Sequence, residues 1–315
     1  MDLSDSSSLV RRLTRVGVDT EPVSAYEPLP PPTGQRYQRD KAALRRCNLA
    51  AAIFHAISFI GAIIVGVIFL SGSAQTALTT DFTVYDAAAP GPVEAGPFSQ
   101  QLRVLGYYQL IWLVEFEPLI TCIFHAVIAG VPAVNEWYTR NTLVQGRNPI
   151  RWVEYSITAS LMIWVIAQLS GLTNVVTLVL LVLGNIAMQF CGYLMEEMNL
   201  EPRLLKGKAV RWGATGVGWL LFVQQWTPVI TYFFSAILSD RPPTVEAVPT
   251  FVYFVIFGLL LQFALFGLVQ LGHYAGVGFL RSTKNYEYAM VALSFISKAF
   301  LTWTLLIGIA TNQRS

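Results

Sequence analysis

Seven apolar stretches dominate this chain, and each is long enough to cross a bilayer, which takes about 20 helical residues. They run approximately over Asn48–Leu70, Val104–Ala133, Trp152–Gly171, Val175–Leu194, Trp212–Leu238, Val248–His273 and Tyr286–Ala310. Of the 315 residues, 54% are hydrophobic and only 13% are charged, where soluble domains carry about 25%. The fold class that follows is an all-α membrane protein, a seven-transmembrane helix bundle with multi-pass topology. Pro118 and Pro228 fall inside the second and fifth spans. A membrane helix tolerates proline as a kink that frees backbone carbonyls.

Basic residues orient the bundle. The segments before span one, between spans two and three, four and five, and six and seven hold eight, three, four and two Lys or Arg. The opposite segments hold Arg103, Arg241 and Arg314. Excess positive charge marks the cytoplasmic side, so the N-terminus is cytoplasmic and the C-terminus outside. Without the tail the asymmetry is still nine against three.

Residues 1–47 read as a disordered basic cytoplasmic tail, with a serine cluster and Pro28, Pro30, Pro31 and Pro32. Within it, Leu9, Val10, Leu13 and Val16 alternate with Arg11, Arg12 and Arg15. That spacing suits either a short basic helix on an anionic leaflet or a solvated charge run. The first outer loop, residues 71–103, is long. Its Thr79–Tyr85 stretch of β-formers precedes Pro90–Gly91–Pro92, which predicts a small β-hairpin in the first extracellular loop. Cys47, Cys122 and Cys191 show no metal spacing and read as small buried hydrophobes. There is no internal repeat and no nucleotide motif. A secondary transporter would bring repeats or broken helices, and nothing points to nucleic acid or to an enzyme.

Lys298 stands in the middle of the seventh span, with no other charge between Glu287 and Arg314. An ionisable residue at that depth costs a few kcal/mol or more, faces protein, and marks function. Roughly a dozen helical residues on either side put the headgroups beyond its reach. A buried lysine amine is also the group that forms Schiff bases with aldehydes. Such a cation needs an anion, and Glu154 near the cytoplasmic end of span three is the choice. Thr158 lies one turn beyond Glu154, and Ser294 one turn before Lys298. Both could hydrogen-bond the pair. Glu196 and Glu197 sit past span four, where water can solvate them.

The string Arg151–Trp152–Val153–Glu154–Tyr155–Ser156–Ile157–Thr158 resembles the counterion motif of microbial rhodopsins, and Lys298 resembles their retinal-binding lysine. Two departures narrow the family. Ser294 stands where those proteins usually carry a second aspartate, and the topology is inverted. Both features are similar to heliorhodopsins, as are the long first outer loop and Glu287 eleven residues before Lys298. The resemblance covers about residue 48 to the end, so residues 48–311 are expected to form a seven-helix retinal-binding domain.

The resemblance implies retinal, all-trans in the dark, held at Lys298 as a protonated Schiff base with Glu154 as counterion. It implies a homodimer in the lipid bilayer, a cytoplasmic signalling partner, and light sensing without ion pumping. His55 and His125 resemble the two histidines of a polar cavity beside the Schiff base, although an intramembrane histidine is also often a hydrogen-bonded packing residue. His273 reads as interfacial. Tyr155, Met162, Trp226, Phe263 and Phe295 are the candidate chromophore wall, drawn from 40 aromatic residues and the methionines.

Outward proton pumps carry a carboxylate eleven residues after the counterion; here that position is Val165. The alternative is a light-gated passive proton channel, an activity associated with some viral heliorhodopsins. Glu115, Glu117 and Glu287 are the possible proton path. Glu115 and Glu117 lie about 200° apart on a helix, so one is expected to face the interior and the other an interface or headgroups. Interhelical hydrogen bonding in protonated form is the other reading of both. For Glu287, a cytoplasmic hydrogen-bond network and plain solvation are both open.

Overall fold

The computed structural model describes residues 34–69, 75–85, 98–240 and 247–312. The basic segment around Arg11–Arg15, the proline cluster, the Pro90–Pro92 turn, Arg241 and Arg314 lie outside the described residues. Among the described residues, seven helices are long and apolar enough to span a membrane: α1 (Gln35–Phe69), α2 (Ile111–Gly130), α4 (Pro149–Leu169), α5 (Val175–Met198), α7 (Gly213–Leu238), α8 (Thr250–Tyr274) and α9 (Thr283–Asn312). Between them lie the short helices α3 (Pro132–Arg140) and α6 (Glu201–Leu205), a π-helical turn at Asn141–Gln145 and a 3-10 turn at Gly278–Arg281. Strands β1 (Gln75–Tyr85) and β2 (Phe98–Gln109) form one antiparallel hairpin.

The bundle follows the sequence spans, with two differences at their ends. Helix α1 begins at Gln35, so residues 35–47, read as part of the disordered tail, are helical. Tertiary contacts hold this stem. Leu44 is buried with Ile128 and Tyr138, Lys284 Nζ donates to Asp40 Oδ1 at 2.8 Å, Arg45 Nε donates to Ala129 O at 2.9 Å, and Lys41 pairs with Glu136. Most helical stability in proteins comes from such packing rather than from propensity.

The second span is shorter than its apolar run. Val104 pairs with Thr79 and Gln109 with Gln75 in the hairpin, so the strand takes the residues before Leu110. A short apolar run rich in β-branched and aromatic residues does not by itself distinguish strand from helix. The hairpin is fastened to the outer end of the bundle. Thr79 N donates to Thr173 O at 2.9 Å, and Asn174 both contacts Asp81 and caps α5 by accepting from Thr177 N at 3.0 Å.

Helix α2 packs between α1 and α4, α5 against α4 and α7, and α9 against α8 and α1. Apolar residues such as Ile53, Ile57, Ile60 and Ile64 of α1 point outward, as they must towards lipid. The main apolar core gathers Met162, Ile163 and Ile166 of α4 with Leu178, Val229, Leu259 and Leu305 of the neighbouring helices. Polar residues are concentrated instead where α2, α4 and α9 face one another.

Candidate functional site

Three helices converge on one lysine. Lys298 on α9 is 3% exposed. Its Nζ donates to Glu154 Oε1 of α4 at 2.6 Å and to Thr121 Oγ1 of α2 at 2.6 Å. Glu117 Oε1, also on α2, is 3.4 Å away. Four-residue spacing puts Glu117, Thr121 and His125 on one helical face, and that face is turned to α9. The ring of Tyr155 lies 5.6 Å from Nζ, within reach of a cation–π attraction, and its hydroxyl donates to Met290 O at 3.1 Å.

The hydroxyls assigned to this pair from sequence do not serve it. Thr158 Oγ1 donates to the backbone carbonyl of Glu154 at 3.1 Å, one turn back along its own helix. Such back-bonding is the ordinary fate of a mid-helix threonine. Ser294 is 1% exposed and makes no hydrogen bond to either member. Thr121 takes the role, a residue that the sequence reading passed over; its four-residue spacing from Glu117 and His125 was the available signal.

This lysine lines a cavity of about 100 Å³. Its walls come from α4 (Trp152, Tyr155, Thr158, Met162), α5 (Met188, Gly192), α7 (Gly218, Trp219, Phe222), α8 (Phe263, Phe266) and α9 (Ser294, Ser297, Lys298). Glycines admit the rings. A Cβ on Gly192 would strike the Trp152 ring, and one on Gly267 would strike Trp219. Two expected wall residues lie elsewhere. Trp226 packs its ring 5.8 Å from Phe263, behind the wall. Phe295 faces α1, with its ring 3.7 Å from Phe54 and 6.2 Å from His55. Aromatic, sulfur and glycine walls that close on a single amine fit a conjugated aldehyde such as retinal.

His55 and His125 are both buried, with parallel rings 6.0 Å apart. His125 Nδ1 lies 2.7 Å from Asn48 Oδ1, and Asn48 Nδ2 donates to Tyr138 Oη at 3.4 Å. A second, small cavity between the central pair and the cytoplasmic side is bounded by His125, Asn48, Tyr138, Glu154, Arg151 and Glu287.

Beyond it lies a buried ionic cluster. Arg151 Nη1 donates to Glu287 Oε1 at 2.7 Å, and Nη2 pairs with Glu196. Asn148 Nδ2 donates to Glu287 Oε2 at 2.9 Å, and Tyr138 Oη to the same oxygen at 3.3 Å. The Asn148 amide donates to Glu196 Oε2 at 2.7 Å, and Tyr286 Oη donates to Glu196 Oε1 at 3.1 Å. Burial and the neighbouring Glu287 push the Tyr138 phenol well above its usual range, so it stays a donor.

Glu287 therefore sits in a network rather than in water. Glu196, read as solvated, is 0% exposed, because α5 continues to Met198 and Arg151 folds over its carboxylate. Glu197 pairs with Arg147. His273, at the end of α8, is also buried, stacked 4.4 Å from Tyr286 with Nδ1 2.8 Å from Leu280 O.

Glu115 and Glu117 face different sides, yet both are buried. Glu115 is the one at an interface, the helix–helix contact between α2 and α1. It lies against Gly66 of α1, where a Cβ would collide with its carboxylate, and neither of its oxygens has a hydrogen-bond partner. Val165 is 1% exposed inside the apolar core.

A seven-helix bundle with a lysine buried at the centre of its last span, paired to a carboxylate of the third, defines a membrane protein of the rhodopsin type. Two solved structures share the fold. The transmembrane domain of Salpingoeca rosetta rhodopsin phosphodiesterase matches with a TM-score of 0.58 at 12% identity, over 96% of this chain and 94% of that one. Exiguobacterium sibiricum rhodopsin matches with a TM-score of 0.50 at 14% identity, over 84% of this chain and 98% of that one. No curated protein matches the sequence. The sequence model of the Heliorhodopsin family matches residues 44–310, and the chain belongs to that family.

Proposed function

We propose that this heliorhodopsin is a light sensor in which Lys298 holds retinal, all-trans in the dark, as a protonated Schiff base with Glu154 as counterion. The observation that carries the reading is the 2.6 Å contact from Lys298 Nζ to Glu154 Oε1 beside an aromatic cavity that Lys298 lines. Bound retinal would supply visible absorption and a light-driven change of shape. The chain's residues do the rest. Met162, Phe263 and Tyr155 line the cavity and would bound the polyene and exclude water, Glu154 would balance the charge on Nζ, and Thr121 would orient the nitrogen.

A change in the field at Lys298 would reach the cytoplasmic side through groups already in contact. Glu154, His125 and Glu287 border one small cavity, and Asn48 and Tyr138 bridge His125 to Glu287. A local charge rearrangement that biases a two-state bundle is the physical form of such a signal. A cytoplasmic partner would read the altered face. The hairpin exposes Phe82, Leu102 and Tyr107, an apolar surface that suits contact with a second copy in a homodimer.

The second reading is a light-gated passive proton channel. Buried Glu115, Glu117 and Glu287 favour it, because ionisable groups inside a membrane protein mark proton relays. The test of the first reading is Lys298→Ala supplied with all-trans retinal. It should yield no visible pigment while the unsubstituted protein does, and a coloured variant would overturn the assignment.

A further inference from the structure

The Lys298 amine is bracketed by two carboxyls rather than one. Glu154 enters from near the cytoplasmic start of α4, and Glu117 from near the outer start of α2. Glu117 is 2% exposed. Thr121 joins it to the lysine, accepting from Nζ at 2.6 Å and donating to Glu117 Oε1 at 3.4 Å. The other oxygen, Glu117 Oε2, is buried without a partner.

The charges do not balance if both acids are ionised. The charged groups acting on Glu117 are Lys298 and Glu154, which leaves one cation against two anions in a low-dielectric site. Among the described residues, Arg151 of α4 is engaged by Glu196 and Glu287 and supplies no second cation to this pair. His55 Nε2 is buried without a hydrogen-bond partner, so a charged ring would bury an unpaired N–H. His125 stacks parallel to His55 at 6.0 Å, where two charged rings would repel. Tyr155 is engaged with Met290 O. An unpaired buried carboxylate is costly, and two acids that share one site keep a proton between them. The nearer acid, at 2.6 Å, is the better anion. The farther one, with an unpartnered oxygen, is the better neutral acid.

We propose that Glu117 and Glu154 form one carboxyl pair that carries a single proton and a single negative charge across Lys298, with the proton on Glu117. The arrangement exists in the free amine form and, on the retinal reading, persists when the chromophore is bound. Glu117 is then a reserve counterion. When Glu154 cannot be charged, the Glu117 O–H bond breaks, its proton leaves to solvent, and the carboxylate takes over the cation.

Infrared spectra of the ligand-free full chain test this directly. The C=O stretch of one protonated carboxylic acid should disappear in Glu117→Gln, and the same band should disappear in Glu154→Gln, where Glu117 ionises. Glu117→Asp should keep a shifted band, which guards against a folding artefact. An unchanged band in Glu117→Gln, or one that survives in Glu154→Gln, would overturn the pairing.

The retinal-bound protein gives a second reading of the same pair. Glu154→Gln should keep a visible band at neutral pH. The Glu117→Gln/Glu154→Gln double variant should lose it at a pH lower still by about 1–3 units. Identical titrations for the single and double variants would refute the pair. Absence of pigment in the unsubstituted protein would refute the retinal reading alone, because the infrared comparison stands without it.

Discussion

Arg151 and Glu287 are joined at 2.7 Å on the same two helices that join Glu154 and Lys298 at 2.6 Å. Helix α4 carries Arg151 and Glu154 three residues apart, and α9 carries Glu287 and Lys298 eleven apart. The two helices are therefore pinned twice, once at the site and once near the cytoplasmic side, with opposite polarity at the two pins.

The cytoplasmic pin should matter for stability. Arg151→Gln leaves Glu196 and Glu287 buried without their shared cation. Removing one partner of a buried pair costs about 3–5 kcal/mol. Thermal unfolding of the purified protein should show a clearly lower midpoint for Arg151→Gln. The triple variant with Glu196→Gln and Glu287→Gln should recover part of the loss, since it leaves no unpaired charge. An Arg151→Gln midpoint equal to that of the unsubstituted protein would mean that the cluster contributes nothing net.

At the central pin the sign is set by Coulomb's law. An anion beside a cationic nitrogen favours its protonated form, and Glu117 at 3.4 Å is a more distant anion than Glu154 at 2.6 Å, so Glu154→Gln should still move loss of the visible band to lower pH. While the nitrogen stays protonated, the band should shift to longer wavelength. A titration and spectrum that match the unsubstituted protein would assign the counterion to another acid.

The cavity wall can be tested through its glycine. A side chain at Gly192 would meet the Trp152 ring, and Trp152 lines the same cavity as Lys298. Gly192→Val should push that ring into the cavity and sharply reduce the yield of pigment at saturating retinal. Normal yield and colour would place the polyene away from Trp152.

How much of this was legible in the sequence depended on the interaction. The seven spans and their charge asymmetry are carried by composition, and Lys298 and Glu154 stand out because a charge inside a membrane is costly anywhere. The N-terminal end of α2 was not legible, since Val104–Gln109 carries no charge and runs straight into the apolar helix, and only pairing with Gln75–Thr79 makes it a strand. Thr121 was missed because hydroxyls are common in apolar helices, and only the rotation of α2 against α9 selects this one. The rotations of α4, α7, α8 and α9 about their own axes likewise decide why Met162 and Phe263 border the cavity while Trp226 and Phe295 do not. Glu196 reads as solvated from sequence because it follows the apolar run, but α5 continues past it and Arg151 closes over it.

The histidines give a test of the polar string. His125→Ala removes the 2.7 Å contact with Asn48 and interrupts the path to Tyr138 and Glu287. His55→Ala leaves that path intact. Flash photolysis should show a modest change in photocycle or colour for each, and the larger kinetic change for His125→Ala. Silence in both would reduce the two rings to packing.

The last test separates the two functional readings. A pump must return a proton to the nitrogen from a defined donor, and the position a pump uses is Val165, 1% exposed in an apolar core. No apolar side chain can donate a proton. Voltage-clamped cells that carry the visible pigment should therefore show no steady photocurrent at zero driving force. A steady current there would overturn the argument from Val165. Current that appears with a proton gradient and reverses with it would establish a passive channel, and Glu115 and Glu117 would be the first residues to substitute. No current under either condition, from a protein that photocycles at the cell surface, leaves the sensor and turns the search to cytoplasmic partners.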